Sequence, residues 1–292
     1  MPTKLGQNFL VNKEIAKRIV KAANLKLDDL VLEIGSGKGI LTEELVKYAG
    51  KVVAVEIDGK LFGLLRNKLR NINNVEIVEG DILKFKFQSS KFKTAVQNSK
   101  LKSTHDTLYI VHSNKYKVIA NLPYYITSPV IRKFLEAENP PSALILMVQK
   151  EVAERICAGP GKMSVLAVAV QYYAKPEILF HVKRENFDPV PEVDSAVIKI
   201  VPNPSVPPEA GHLPLERGGG LNRDFNKRFF QIVRAGFCAK RKTLANNVAN
   251  SFYLDKDKVG EILTKIGLNK KIRAQELSVE DWKKLSGIFI GR

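Results

Sequence analysis

Cysteine is scarce in this 292-residue sequence, with Cys157 and Cys238 the two present. Two cysteines build neither a disulfide scaffold nor a four-thiolate metal centre, and they point to a reducing, cytoplasmic setting. The four histidines, His105, His112, His181 and His212, show no ligand spacing, so no metal is expected. No run approaches the ~18 consecutive apolar residues of a membrane span, so no membrane partner is expected. The opening residues Met1-Pro2-Thr3-Lys4-Leu5-Gly6-Gln7 lack the apolar stretch of a secretory signal. Hydrophobic residues at 45% and charged residues at 26% are ordinary for a chain that buries a core.

Acidic residues are outnumbered, 30 against 47 Lys and Arg, for a net charge of +17. The excess is unevenly placed. Residues 1–26 carry +5, residues 84–117 carry +7 and residues 217–292 carry +10, which leaves the rest of the chain at −5. A near-neutral body with three basic segments reads as a footprint for a polyanion. A solvated lysine surface is the plain alternative.

Apolar runs alternate with helical spacing. Strands are expected at Leu30 to Ile34, Val52 to Val55, Val75 to Val78, Val118 to Ala120 and Ala143 to Val148. Between them, Leu41, Leu45, Val46 and Ala49, then Leu61, Leu64, Leu65 and Leu69, recur at helical intervals. This is the pattern of βαβ units on a mostly parallel sheet. His181-Val182 and Ala196 to Val201 can add an antiparallel pair, which makes the sheet mixed. The polar, Lys/Ser-rich stretch 86–117 reads as an insertion with a short hairpin around Leu108 to Val111.

Residues 202–221 hold five prolines and Gly218-Gly219-Gly220, as a linker would. Beyond them the spacing turns helical. Phe225, Phe229, Ile232 and Val233 form one stripe, Leu244, Val248 and Phe252 a second, and Val259, Ile262, Leu263 and Ile266 a third. Ser278 with Asp281 resembles a capping box, and Leu277 with Trp282 is placed as a hydrophobic staple. The division expected is a catalytic domain over 1–201, a linker over 202–221 and a small all-helical domain over 222–292.

Four strand ends carry chemistry. Glu33-Ile34-Gly35-Ser36-Gly37-Lys38-Gly39 follows the first strand and opens a helix, where small residues and helix N–H groups let a ligand approach. It departs from the dinucleotide fingerprint, because Ile40 stands where that pattern needs glycine. Glu56, 19 residues beyond Gly37, ends the second strand, where a carboxylate can bind both hydroxyls of a ribose. Asp58 competes for that role. Asp81 ends the third strand, where it can accept from an adenine amine.

Asn121-Leu122-Pro123-Tyr124-Tyr125 ends the fourth strand. An aromatic exocyclic amine is a poor nucleophile because its lone pair is delocalised. Two acceptors, the Asn121 side-chain carbonyl and the Pro123 backbone carbonyl, would draw its nitrogen toward tetrahedral geometry and stabilise the charge that develops on methyl transfer. Tyr124 offers a face to an unstacked base. In Phe187-Asp188-Pro189-Val190-Pro191, a stiff extended segment can hold the Phe187 ring as a second stacking face. Arg234, Lys240, Arg241 and Lys242 cluster between two C-terminal helices and suit phosphates.

These motifs resemble the small-subunit ribosomal RNA adenine dimethyltransferase family, S-adenosylmethionine enzymes that make paired N6,N6-dimethyladenosines near the end of that RNA. The resemblance rests on Gly6 to Leu10, Glu33 to Gly39, Gly80-Asp81, Asn121 to Tyr125, Phe187 to Ser195, and Arg241 to Leu244 with Asn246, in the family's order. It implies an α/β, Rossmann-like class I methyltransferase sheet with a small all-helical C-terminal domain. It also implies that Asn8, Leu10, Gly35, Glu56, Asp81 and Asn121 touch the methyl donor, and that Asn121, Pro123, Tyr124 and Phe187 frame the target adenine. With the neighbours Gly37, Ile57 and Ile82, the expected donor set is Asn8, Leu10, Gly35, Gly37, Glu56, Ile57, Asp81, Ile82 and Asn121. The implied partner is small-subunit ribosomal RNA in an assembling subunit, bound by a monomer. The insertion at 86–117 and the linker at 202–221 are longer than the family usually has. Three rivals stand beside this reading: an erythromycin-resistance-type enzyme acting on large-subunit RNA, a non-catalytic assembly factor that keeps the fold, and a DNA amino-methyltransferase.

Overall fold

The computed structural model describes residues 7–88, 107–109, 116–204 and 221–290. Its elements follow the alternation in the sequence. β1 (Phe9–Leu10) leads into α1 (Lys13–Ala23), which Asn12 caps by accepting from the Glu14 N–H. Then come β2 (Leu30–Ile34), α2 (Ile40–Leu45), β3 (Lys51–Glu56), α3 (Gly59–Lys68) and β4 (Val75–Glu79). Two short strands, β5 (Lys86–Gln88) and β6 (Thr107–Tyr109), precede β7 (Tyr116–Asn121), α4 (Thr127–Leu135) and β8 (Ala143–Gln149). α5 (Lys150–Ile156), α6 (Val165–Tyr173), β9 (Ala174–Val182), β10 (Phe187–Asp188) and β11 (Ser195–Pro202) follow. The chain ends in α7 (Leu221–Gly236), α8 (Leu244–Phe252), α9 (Lys256–Lys265) and α10 (Val279–Ile290). Among the described residues no helix is long and apolar enough to cross a membrane.

Seven strands form the main sheet in the order β4-β3-β2-β7-β8-β11-β9. β4, β3, β2, β7 and β8 run parallel, and β11 runs antiparallel to β8. The sheet is therefore mixed, as expected. Central parallel strands are covered on both faces, which is why they read as unbroken apolar runs. Val31, Leu32 and Ile34 of β2 and Leu144 to Val148 of β8 are all buried. One acid, Glu33, is buried with them.

The strand order reverses on either side of β2. In open α/β sheets the ligand crevice forms at such a reversal, beyond the carboxyl ends of the strands. Register sets what meets there. Ile34 pairs with Val55 on one side and with Ala120 on the other, so Gly35 stands level with Glu56 and Asn121.

The described residues divide into two compact units. One runs to Ala153 and includes Glu177–Pro202; the other joins Glu154–Pro176 to the residues from Asn203 onward. The expected division put 154–176 in the first domain, whereas by contact they group with the C-terminal helices. In that second unit Ser278 and Asp281 form the capping box, with Ser278 Oγ accepting from the Asp281 N–H at 3.1 Å and an Asp281 carboxylate oxygen accepting from the Ser278 N–H at 3.0 Å. Leu277 and Trp282 are fully buried beside it.

Four local expectations are corrected. α2 has six residues, shorter than the apolar pattern to Ala49 suggested, because the chain leaves the helix at Val46 in a turn while Ala49 stays buried. Leu64 and Phe252 fall on their apolar stripes yet are exposed, since those helices present these positions to solvent. In place of a hairpin around Leu108 to Val111, Thr107–Tyr109 pairs in parallel with Lys86–Gln88. The rest of that segment, and 205–220 of the linker, lie outside the described residues.

Candidate active site

Beyond the carboxyl ends of β2, β3 and β7 lies an open cleft. The turn after β2 gives it Gly35 and Gly37, β3 gives Glu56, the end of β7 gives Asn121, and the turn after β7 gives Leu122, Pro123 and Tyr124. Gln7, Asn8 and Phe9 close one side together with Phe187. The N-terminal segment reaches this place because β1 pairs antiparallel with β10, Leu10 opposite Phe187 and Phe9 opposite Asp188. Two further bonds secure the junction: Val11 N–H to the Asn186 carbonyl at 2.9 Å, and Asn12 Nδ2 to Asn186 Oδ1 at 2.7 Å.

The glycine turn is needed for its conformation. Gly35 has φ +69° and Gly37 has φ +55°, in the left-handed region that favours glycine. A Cβ on Gly37 would press on the Phe9 ring at 3.0 Å, and one on Gly35 would stand 3.9 Å from the Asn121 backbone oxygen and Pro123 Cδ. The gap between the tips of β2 and β7 therefore exists because no side chain fills it. The helix that follows is too short to act as an anion site through its dipole. What the turn offers a ligand is close backbone approach.

Glu56 is buried, and both its oxygens are held. Oε2 accepts from the Gly37 N–H at 2.8 Å and Oε1 from the Asp58 N–H at 3.0 Å. Each oxygen keeps a second lone pair, which suits a pair of adjacent hydroxyls. Asp58 itself caps α3, accepting from Lys60 and Leu61; this occupies the competitor for the ribose role.

Behind the turn sits Glu33. Its carboxylate accepts from Thr42 Oγ1 at 2.6 Å. Burial pushes its pKa up to about 7, the Thr42 and Ser36 hydroxyls pull against that, and the Glu56 charge adds to it. Ser36 is buried beside it.

Asn121 is held by its amide nitrogen. Nδ2 donates to the Asn8 backbone carbonyl at 3.2 Å, leaving Oδ1 with no protein donor among the described residues. The Pro123 carbonyl accepts from the Ile126 N–H at 3.1 Å, in the short 3₁₀ turn Tyr124–Ile126, so one of its two lone pairs is taken. The Tyr124 hydroxyl lies 3.1 Å from Ser195 Oγ, which anchors the ring. Burial, helped by the Asp194 charge and opposed by the Ser195 bond, raises the Tyr124 pKa and keeps it a neutral phenol. Phe187 is buried in the core cluster and also lines the cleft, so it serves packing and the site together.

Four residues of the expected donor set lie outside this lining. Leu10 and Ile82 are buried, and Ile57 is exposed. Asp81 stands past the end of β4, where Oδ1 accepts from the Leu83 N–H at 2.9 Å. Lys133 of α4 holds the same turn by donating to the Leu83 carbonyl at 3.0 Å. Gln7, Phe9 and Leu122 line the cleft without having been singled out. Their signal was position alone, since each is next to a named motif residue.

In the second unit, Arg234, Lys240, Arg241 and Lys242 are all exposed and form no ion pair among the described residues. Their loop is shaped by Asn247, which is buried. Its Nδ2 donates to the Gly236 carbonyl at 2.6 Å and the Ala239 carbonyl at 3.0 Å. Sequence reasoning passed over it because a helix-interior asparagine has no distinctive spacing. Asn247→Ala strands those carbonyls and is expected to cost about 2 kcal/mol, read as a lower urea midpoint; an unchanged midpoint would show that the loop holds itself.

A family model described as ribosomal RNA adenine dimethylase matches residues 1–290. The ribosomal RNA small subunit methyltransferase A of Dehalococcoides mccartyi is 39% identical over 288 residues, covering 98% of this chain and 88% of the relative. The protein of that name from Clostridioides difficile is 38% identical over 288 residues, covering 98% and 89%. Among solved structures, a dimethyladenosine transferase from Plasmodium falciparum superposes with a TM-score of 0.73 at 28% identity, covering 97% of this chain and 98% of that one. The 23S rRNA methyltransferase ErmE superposes at 0.68 with 25% identity, covering 96% and 98%. Match length, identity and fold agree: this chain is a class I methyltransferase and belongs to the ribosomal RNA adenine dimethylase family.

Proposed function

We propose that the protein dimethylates N6 of two adjacent adenosines in a hairpin near the 3′ end of small-subunit ribosomal RNA, with S-adenosylmethionine as donor. The observation that carries this is Asn121, whose amide nitrogen is tied to Asn8 so that Oδ1 is left as an acceptor beside the Pro123 carbonyl. S-adenosylmethionine supplies a methyl group activated on a sulfonium. Glu56 and the backbone of Gly35 and Gly37 would hold its nucleoside, and the open space at Gly35 together with the anchored Glu56 carboxylate fits that role. Asp81, beyond the cleft lining, would meet the adenine edge.

Asn121 Oδ1 and the free lone pair of the Pro123 carbonyl would accept the two N6 hydrogens of the target base. That pulls the amine lone pair out of conjugation and stabilises the positive charge that builds on nitrogen. Tyr124 and Phe187 would sandwich the flipped base. The proton leaves to water. After the first methylation one N–H is gone, so the second transfer uses a rotated amine and a single acceptor contact.

Arg234, Lys240, Arg241 and Lys242 would hold RNA phosphates. Affinity for the RNA should then fall steeply with salt, and Arg241→Ala should reduce the slope of log K against log [salt] by about one. A slope unchanged by the substitution would remove that residue from the footprint. The protein would act as a monomer in the cytoplasm, where subunits assemble. A tritiated-methyl assay comparing unmethylated small subunits, free large-subunit RNA and DNA tests the whole reading. Label in dimethyladenosine of the small subunit supports it, and label confined to another substrate or to none overturns it.

A further inference from the structure

The turn that carries Asp81 is braced from two sides. On one side β3 holds it, with the Gly80 N–H donating to the Glu56 carbonyl at 2.9 Å. Phe85 folds back beneath Gly80, so close that a Cβ on Gly80 would overlap its ring. Within the turn, Asp81 Oδ1 accepts from the Leu83 N–H at 2.9 Å, and the Asp81 carbonyl accepts from the Lys84 N–H at 2.9 Å. On the other side stands α4, from which Lys133 Nζ donates to the Leu83 carbonyl at 3.0 Å. Leu83 is thus gripped at both ends, its N–H by Asp81 and its carbonyl by Lys133.

Lysine is a costly choice for that grip. α4 buries Thr127, Val130, Ile131, Phe134 and Leu135, and Lys133 lies half-buried beside this face. Burial pulls its pKa down and the Asp81 charge opposes that, so the ammonium and the carboxylate act on one another. A lone carbonyl could be met by a neutral donor; a cation here also steadies the acid next to it. Asp81 Oδ1 is committed to the Leu83 N–H, so where the other oxygen points depends on where the turn lies. We infer that Lys133 is a positioning residue for the donor's adenine: by holding Leu83 it fixes the turn, and through the turn the Asp81 carboxylate that would accept from the adenine amine. The inference rests on the proposed function for the donor and for the role of Asp81. It adds a determinant of nucleobase selectivity on α4, a helix that supplies none of the expected donor set.

Where adenine has an amine, hypoxanthine has a carbonyl oxygen, which would face the carboxylate with no hydrogen to share. The full-length protein is titrated calorimetrically with S-adenosylhomocysteine and with its deaminated form, S-inosylhomocysteine, alongside melting. Wild type should favour the adenosyl ligand about 100-fold. Lys133→Met keeps the apolar stem and removes the charge and the donor. It should weaken S-adenosylhomocysteine about tenfold and leave S-inosylhomocysteine unchanged, cutting the preference to about tenfold. Lys133→Arg keeps the charge and the donor and should retain the wild-type preference. Asp81→Ala should abolish the preference with either Lys133 or Met at position 133. If Lys133→Met does not fold, Lys133→Gln, neutral and shorter, is read in the same way. A wild-type preference in Lys133→Met overturns the proposal. So does equal weakening of both ligands, which marks a contact that serves packing alone. Equal affinity of wild type for the two ligands removes Asp81 from the adenine site, and Lys133 with it. If wild type binds neither ligand, the functional reading fails as well. If Asp81→Ala loses the preference while Lys133→Met keeps it, this inference alone fails.

Discussion

Asn121→Ala is expected to lower turnover about 10²–10³-fold, the usual cost of removing one preorganised polar group from a reacting centre. The structure shows why the acceptor is preorganised. Nδ2 is fixed on the Asn8 carbonyl, so the amide cannot flip without losing that bond, and Oδ1 is presented in one orientation. The same bond ties the turn after β7 to the N-terminal segment, so alanine also loosens one wall of the cleft. Asn121→Asp separates the two roles. It keeps acceptor oxygens and loses the donor to Asn8, so it should weaken donor binding more than the chemical step. Single-turnover rates with separately measured donor affinity distinguish these outcomes. Wild-type turnover in a folded, donor-binding Asn121→Ala protein would mean that Asn121 does not serve the reaction.

The second large effect concerns stability and pH. Glu33 lies on the central strand, and burial lifts its pKa from 4.5 to about 7. The folded state therefore binds this proton more tightly than the unfolded chain. Stability from this group is fully present below pH ~4.5 and is lost as pH rises toward about 7, because between those values the folded state must give up a proton it holds more strongly. A displacement of that size corresponds to about 3 kcal/mol. Glu33→Gln keeps an acceptor for the Thr42 hydroxyl and removes the titrating group. The variant should lie within about 1 kcal/mol of wild type near pH 5 and exceed it by about 3 kcal/mol above pH 7. Urea midpoints from pH 5 to 8, taken as the difference between the two proteins, cancel the other titrating groups. A difference that does not change with pH would show that Glu33 is ionised throughout.

Much of this was legible in local pattern. Five apolar runs became five parallel strands, and the central ones read as unbroken apolar runs because they are buried on both faces. Ser278 and Asp281 met because a capping box is closed within one turn of chain. The chemistry of Asn121, Pro123 and Glu56 could be argued from residue type and place at a strand end.

What pattern could not supply was the use already made of each polar group, and the distant chain that packs on each motif. The Pro123 carbonyl reads as free in sequence, but the Ile126 N–H occupies half of it. Leu64 and Phe252 fit apolar stripes, yet both are exposed. The sequence by itself determined the kinds of element, the turns that need glycine and the reactive groups at the strand tips, since these follow from spacing and side-chain chemistry within short stretches. Only the tertiary structure sets Gly35, Glu56 and Asn121 level and lets β10 bring Asn8 and Phe9 to the cleft. Strand register and long-range pairing are settled by how whole faces bury against one another, a property no short stretch of chain contains.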